Sequence, residues 1–216
     1  GVAYFSAQSA DGATLTEQTK AVYRRYEALL KENGLRLENI LNGNIYCQDI
    51  TMQDEYEQQW IRWTYPGHKP AGTMVEGRPA DRRDLLALGL TFADSPEIAD
   101  VKRVKPAENC CRYVEYRKTA YFTGHVCLDA DAKDLYDHTK GVLRRFCKVF
   151  KEEYGLRMDR IISASAYISD IRQAPLFHKA WDEWFTPGTE PACSVIATRL
   201  LGDEFQIELA LIVADE

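Results

Sequence analysis

The chain has no apolar run approaching the roughly 18 residues that a membrane-spanning helix needs, and its N-terminus turns polar within six residues. A membrane helix and a signal peptide are therefore not expected, and a cytoplasmic protein is. It also lacks an excess of positive charge. Net charge is −6 and the pI about 5.4, so the broad basic field of a nucleic-acid binder is missing. The basic pairs Arg24-Arg25, Arg82-Arg83 and Arg144-Arg145 are short, and a solvated helix face accounts for them better than a nucleic-acid contact. Six cysteines include no CxxC pair, and no histidine stands at zinc-ligand spacing. No metal or organic cofactor is implied. In a 24.7 kDa chain that is 45% hydrophobic and 11% aromatic, the thiols are expected to stay reduced and mostly to fill core.

What the chain does contain is an internal repeat. Trp60–Ala93 and Trp181–Ala214 align without a gap at an offset of 121 positions. Trp60 falls on Trp181, Trp63 on Trp184, Pro66-Gly67 on Pro187-Gly188, Pro70-Ala71 on Pro191-Ala192, and Arg78 on Arg199. Two small domains are expected, residues 1–97 and 98–216, each near the usual size of about 100 residues. Within the shared frame some polar positions differ: Cys193 replaces Gly72, and Glu208 replaces Ala87. Differences inside a preserved frame are where chemistry is to be sought.

In chain order, residues 2–6 read as a strand, and Thr14-Leu-Thr-Glu17 has capping-box spacing before a helix ending at Asn33-Gly34. A strand is expected around Ile45–Asp49. Tyr56, Trp60 and Trp63 then mark one face of a short helix, and strands follow near Gly72–Glu76 and Leu85–Ala93. Residues 94–109, with Pro96 and Pro106, read as a linker. The second unit opens with a strand pair, Arg112–Tyr116 and Ala120–Gly124. Its long helix carries Val142, Phe146, Val149 and Phe150, with Gly155 as the stop, then comes a strand at Ala166–Ile168 and a short helix at Phe177, Trp181 and Trp184. Each unit is expected to be α+β: a small mixed sheet with two helices on one face, the other face covered by another repeat or another chain.

The segments GLRMDRIISASAYISDI, FTPGTEPACS and FQIELALIVA carry a pattern that resembles the Rid (reactive intermediate deaminase, YjgF-like) family. A tandem pair of such units would cover nearly the whole chain. The resemblance implies a chorismate-mutase-like fold, with sheets packed into a trimeric or pseudo-trimeric barrel, a homotrimer favoured, and sites in clefts between units. It implies an enzyme on a small-molecule substrate. Typical members place an arginine right after the PA of PAx[ST], where a guanidinium grips the substrate carboxylate bidentately. Here Gly72 and Cys193 occupy that place, so ordinary hydrolysis of 2-imino acids is not expected.

The family's acid/base glutamate survives as Glu208, 15 residues after Cys193. Strand alternation sets it beside Gln206, Ala210 and Ile212, opposite the face of Ile207, Leu209, Leu211 and Val213. A carboxylate on a half-apolar face should have a raised pKa, suited to proton transfer near neutrality. The plain alternative is a barrel-edge glutamate satisfied by a backbone amide or an arginine. Cys193 is read as a nucleophile beside Glu208 or, with no histidine placed to activate it, as pocket lining. Gly124, His125, Ser194 and Tyr113 stand at or near the family's substrate-contacting positions; a strand-end glycine and a structural histidine are the alternatives for the first two. Arg199, shared with Arg78, reads as structural, and the Cys110-Cys111 pair is assigned no function. The expected activity is a hydrolytic, deaminating or proton-transfer step on a carbonyl, imine or enol ether, similar in part to the longer chorismatases. The alternative is a non-catalytic binding or assembly protein. A nuclease, an activity attributed to some members, is disfavoured by the acidic balance.

Overall fold

In the computed structural model, which describes residues 1–95, 97–152 and 156–214, the first helix starts where its capping box stands. Thr14 Oγ1 accepts the Glu17 amide at 3.2 Å, and the Glu17 carboxylate accepts the Ala13 amide at 2.8 Å, so amides left open by the first turn are satisfied. This helix, α1 (Leu15–Glu32), ends at Asn33, whose side chain donates to the Leu29 carbonyl; Gly34 follows at φ +66, where glycine is unstrained. The corresponding stop at Gly155, like Pro96 of the linker, lies outside the described residues.

The chain divides into two compact units: Gly1–Arg117 with Tyr121–Thr123, and Lys118–Ala120 with Gly124–Glu216. In the first unit β1 (Val2–Gln8), β2 (Ile40–Cys47), β3 (Ala71–Glu76) and β4 (Leu86–Ala93) form a sheet in the order β1-β4-β2-β3. Only the β2–β3 pair is parallel. Helix α1 and α2 (Gln53–Trp63) share one core with it. Val22, Tyr26, Tyr56 and Trp60 pack with Ile45, Leu86, Leu88, Leu90 and Phe92, so both helices cover the same sheet face. Strand β2 begins and ends earlier than the sequence suggests. Asp49 accepts the Thr51 amide and caps a short 3-10 turn, so the strand stops at Cys47.

The expected linker over 94–109 is corrected. Residues Ile98–Asp100 form a 3-10 turn, and β5 (Lys102–Pro106) pairs antiparallel with β6 (Cys111–Tyr116). The cause is Arg103, whose guanidinium donates to the carbonyls of Glu38, Ile40 and Lys69 at 2.6, 3.0 and 3.1 Å. A charged donor on three backbone acceptors orders this segment despite its proline. The hairpin thus stays with the first compact unit, although the sequence pattern restarts near residue 98. Further ties are the Cys111 amide on the Pro70 carbonyl at 2.8 Å and the Gly72 amide on Thr123 Oγ1 at 3.1 Å.

The second unit contains α3 (Leu135–Glu152), β9 (Ile161–Ile168), α4 (Ala174–Trp184), β10 (Ala192–Ala197) and β11 (Ile207–Ala214). Its strands run β10-β9-β11, with the short β8 (His125–Val126) antiparallel to β11; β7 (Thr119–Phe122) straddles the division between units. Again one pair, β9–β10, is parallel. Cα partners match those of the first unit position for position: Gly72 with Gly43, and Cys193 with Ala164. The buried faces of α3 and α4 carry Val142, Leu143, Phe146, Phe177 and Trp181. All six cysteines are free, and among the described residues no helix is long and apolar enough to cross a membrane.

Candidate active site

Pairing across β10, β9 and β11 sets Ile196, Tyr167 and Glu208 in one row, with Val126 of β8 on the far side of Glu208. Directly paired residues project to the same face. That face is opposite the buried Ile207, Leu209 and Leu211, as alternation predicts. Space for the carboxylate comes from Gly124: a Cβ there would lie 1.9 Å from Glu208 Oε1. The glycine is therefore required by close approach, and any side chain would displace the carboxylate.

Burial pushes the Glu208 carboxyl up to about 7, and among the described residues no neighbouring charge or hydrogen bond offsets it. Near neutrality it is divided between acid and carboxylate. That is the condition for giving and taking a proton at working pH.

The other expected site residues divide. Ser194 pairs with Ser165, which pairs with Ala210, so it lies on the Glu208 face, exposed on β10. Cys193 pairs with Ala164 and through it with Leu211, an odd number of residues from Glu208. The two side chains therefore leave opposite faces of the sheet. Cys193 is exposed, yet partial desolvation holds its thiol up to about 11, far from a thiolate nucleophile. The expectation of a thiol beside Glu208 does not fit this register. His125 pairs with Leu209, is buried, and tilts over the Phe146 ring at 4.7 Å, so it belongs to the core beneath α3. Tyr113 lies in the first unit, buried, with its ring stacked on Phe122 at 4.7 Å. Arg199 is exposed, 3.7 Å from Asp203.

Tyr167 was not singled out by the sequence reading. Its place beside Glu208 depends on strand register, which one sequence leaves open. Among the described residues no three His, Cys, Asp or Glu side chains converge to hold a metal.

A family model described as Endoribonuclease L-PSP matches residues 101–215. The chain belongs to this family, the YjgF-like Rid proteins. A RutC family protein of Haemophilus ducreyi is 30% identical over 99 residues, spanning 46% of this chain and 83% of its own. The RutC family protein YoaB of Escherichia coli is 28% identical over 102 residues, spanning 47% and 86%. Among solved structures, a Pseudomonas aeruginosa protein superposes with a TM-score of 0.50 at 19% identity, covering 54% of this chain and 99% of its own. A YjgF-family protein of Neisseria meningitidis gives the same score and identity over 54% and 96%. These likenesses establish the Rid fold.

Proposed function

We propose that this protein is a tandem Rid-type enzyme whose second repeat, residues 98–216, handles a proton on a small imine, carbonyl or enol-ether substrate. The first repeat, residues 1–97, serves as scaffold. One observation carries the reading: Glu208 is held near neutrality by burial, uncompensated, in a space that only glycine at 124 leaves open. In its acid form Glu208 donates to the imine nitrogen or to the enol-ether carbon. Water then adds to the activated carbon and the carboxylate recovers a proton from it, giving a hemiaminal or hemiketal. Glu208 next passes that proton to the nitrogen or ether oxygen, and the C–N or C–O bond breaks. The adduct hydroxyl gives its proton back to the carboxylate, leaving a carbonyl and free ammonia or alcohol. Ser194 lies on the same face and is a polar contact available to the substrate. With Cys193 in the arginine position, a carboxylate-bearing substrate would be held weakly, so a 2-imino acid is not the favoured one. The family model's description names an endoribonuclease, but the net charge of −6 favours a small molecule over RNA.

The assembly that goes with this reading is a homotrimer. Its support is the outer face of β10, where Ile196 is 43% exposed while the matching Val75 of β3 is 2% exposed. A neighbouring chain seated on β10 would cover Ile196. The purified protein and a Glu208→Gln variant would be incubated with 2-iminopropionate generated in situ, chorismate, and a set of enol and imine carboxylates. Consumption of one substrate by the native protein, reduced by about 10²–10⁴ in the variant, is expected. Equal consumption by both proteins would remove Glu208 from the chemistry, and silence in both would favour a binding or assembly role.

A further inference from the structure

The two units differ at a second place, beside the N-terminal turn of their long helices. In the first unit the loop before α1 and the loop before β4 are clasped. Buried Gln18 donates to the carbonyls of Gly12 and Arg83 at 3.0 and 2.9 Å and accepts the Leu85 amide at 2.7 Å. Ser9 Oγ donates to Asp84 at 2.5 Å across the same gap. In the second unit His138 stands at the position of Gln18, Asp129 at that of Ser9, and Phe205 at that of Asp84. Among the described residues these three side chains make no matching bonds, and the gap opens into a cleft of about 550 Å³ lined by Cys127, Leu128, Asp129, His138, Glu204 and Phe205.

His138 is only 6% exposed, and its Nδ1 is buried with no hydrogen-bond partner. A buried imidazole nitrogen without a partner costs free energy unless something supplies one. Desolvation lowers its pKa, opposed by Asp137, Asp134 and Asp129, so the neutral ring offers an acceptor. Two carboxylates line the same cleft. Asp129 has one weak, exposed ion pair, 3.8 Å from Arg144, and Glu204 is exposed. Leu128, 68% exposed, and the half-buried Phe205 add apolar surface, and an aromatic face attracts a cation.

We propose that this cleft is a second ligand site, taking a small organic cation whose ammonium donates to His138 and is neutralised by Asp129 and Glu204 while its apolar body packs on Phe205 and Leu128. The probe is phenethylamine, with 2-phenylethanol and hydrocinnamate as neutral and anionic controls. Binding to the full chain would be followed by calorimetry and by the imidazole NMR signals of His138. Saturable binding of phenethylamine with a shift of the His138 signal is expected, at least tenfold tighter than either control. Leu128→Arg, an exposed change that leaves folding intact, should weaken it at least tenfold, and His138→Gln likewise. Glu208→Gln should bind unchanged, which separates this site from the proposed reaction. Absence of saturable binding, equal binding of hydrocinnamate, or indifference to Leu128→Arg would overturn the proposal.

Discussion

The two units share order, register and spacing, yet at matching points the first is closed and the second open. Val75 of β3 is buried, whereas Ile196 of β10 is exposed. Ala87 leaves a plain methyl where Glu208 places a carboxylate. Buried Lys69 donates to the carbonyls of Ile61 and Thr64 at the end of α2; its counterpart Glu190 is exposed and accepts only the Gly188 amide. Gln18 closes a clasp that His138 leaves undone. The lesson is that the frame needs only its apolar positions. The polar positions are free to be filled for stability in one copy and left unfilled in the other, and unfilled polar positions are where ligands can act.

The strongest way to break the comparison is a charge on the row shared by β3 and β10. Val75→Asp buries an unpaired carboxylate and should destabilise the chain by about 4 kcal/mol or more in urea denaturation. Ile196→Asp should leave chain stability within about 0.5 kcal/mol. By light scattering, the same change should dissociate the proposed homotrimer; an unchanged mass would remove the case for a partner on β10.

Next in size is the carboxylate itself. The Glu208 pKa is raised from 4.5 in the unfolded chain to about 7 in the fold, so the folded state holds the proton more tightly. Its contribution is fully present below pH 4.5 and is lost as pH rises through 7. Glu208→Gln should therefore match the native protein near pH 4 and exceed it at pH 8 by up to about 3 kcal/mol, measured by denaturation across that range. A difference independent of pH would mean the burial argument fails.

Gly124→Ala should cost about 1–3 kcal/mol by overpacking against Glu208. In a double-mutant cycle with Glu208→Ala most of that cost should disappear, since the clash is with that side chain. The smallest effect concerns the clasp. Gln18→Ala removes three hydrogen bonds and should cost about 1–2 kcal/mol, while His138→Ala, which removes an unpartnered nitrogen, should stay near neutral by thermal denaturation.

Much of the fold was legible locally. Thr14 and Glu17 announce the start of α1, Asn33-Gly34 its end, and Tyr56, Trp60 and Trp63 the face of α2, because caps and helical periodicity are written within a few residues. The misplaced strand at Ile45–Asp49 and the false linker have another origin. Asp49 was read as strand though it caps a turn, and Arg103 orders its segment through carbonyls more than 30 positions earlier in the chain. No local pattern reports such partners. At the site, the parity of Glu208 followed from alternation along one strand. The separation of Cys193 from Glu208 did not, because it depends on how three strands are registered.

The sequence by itself determined the two-helix, mixed-sheet plan of each unit and the face on which Glu208 stands. These follow from period, caps and spacing, which are properties of neighbouring residues. Only the tertiary structure decided that His125 is core, that Gly124 makes room for a carboxylate, and that a cleft opens at His138. Those outcomes depend on which surfaces meet across long loops, and burial, which sets both the pKa of Glu208 and the isolation of the His138 nitrogen, is a property of that meeting.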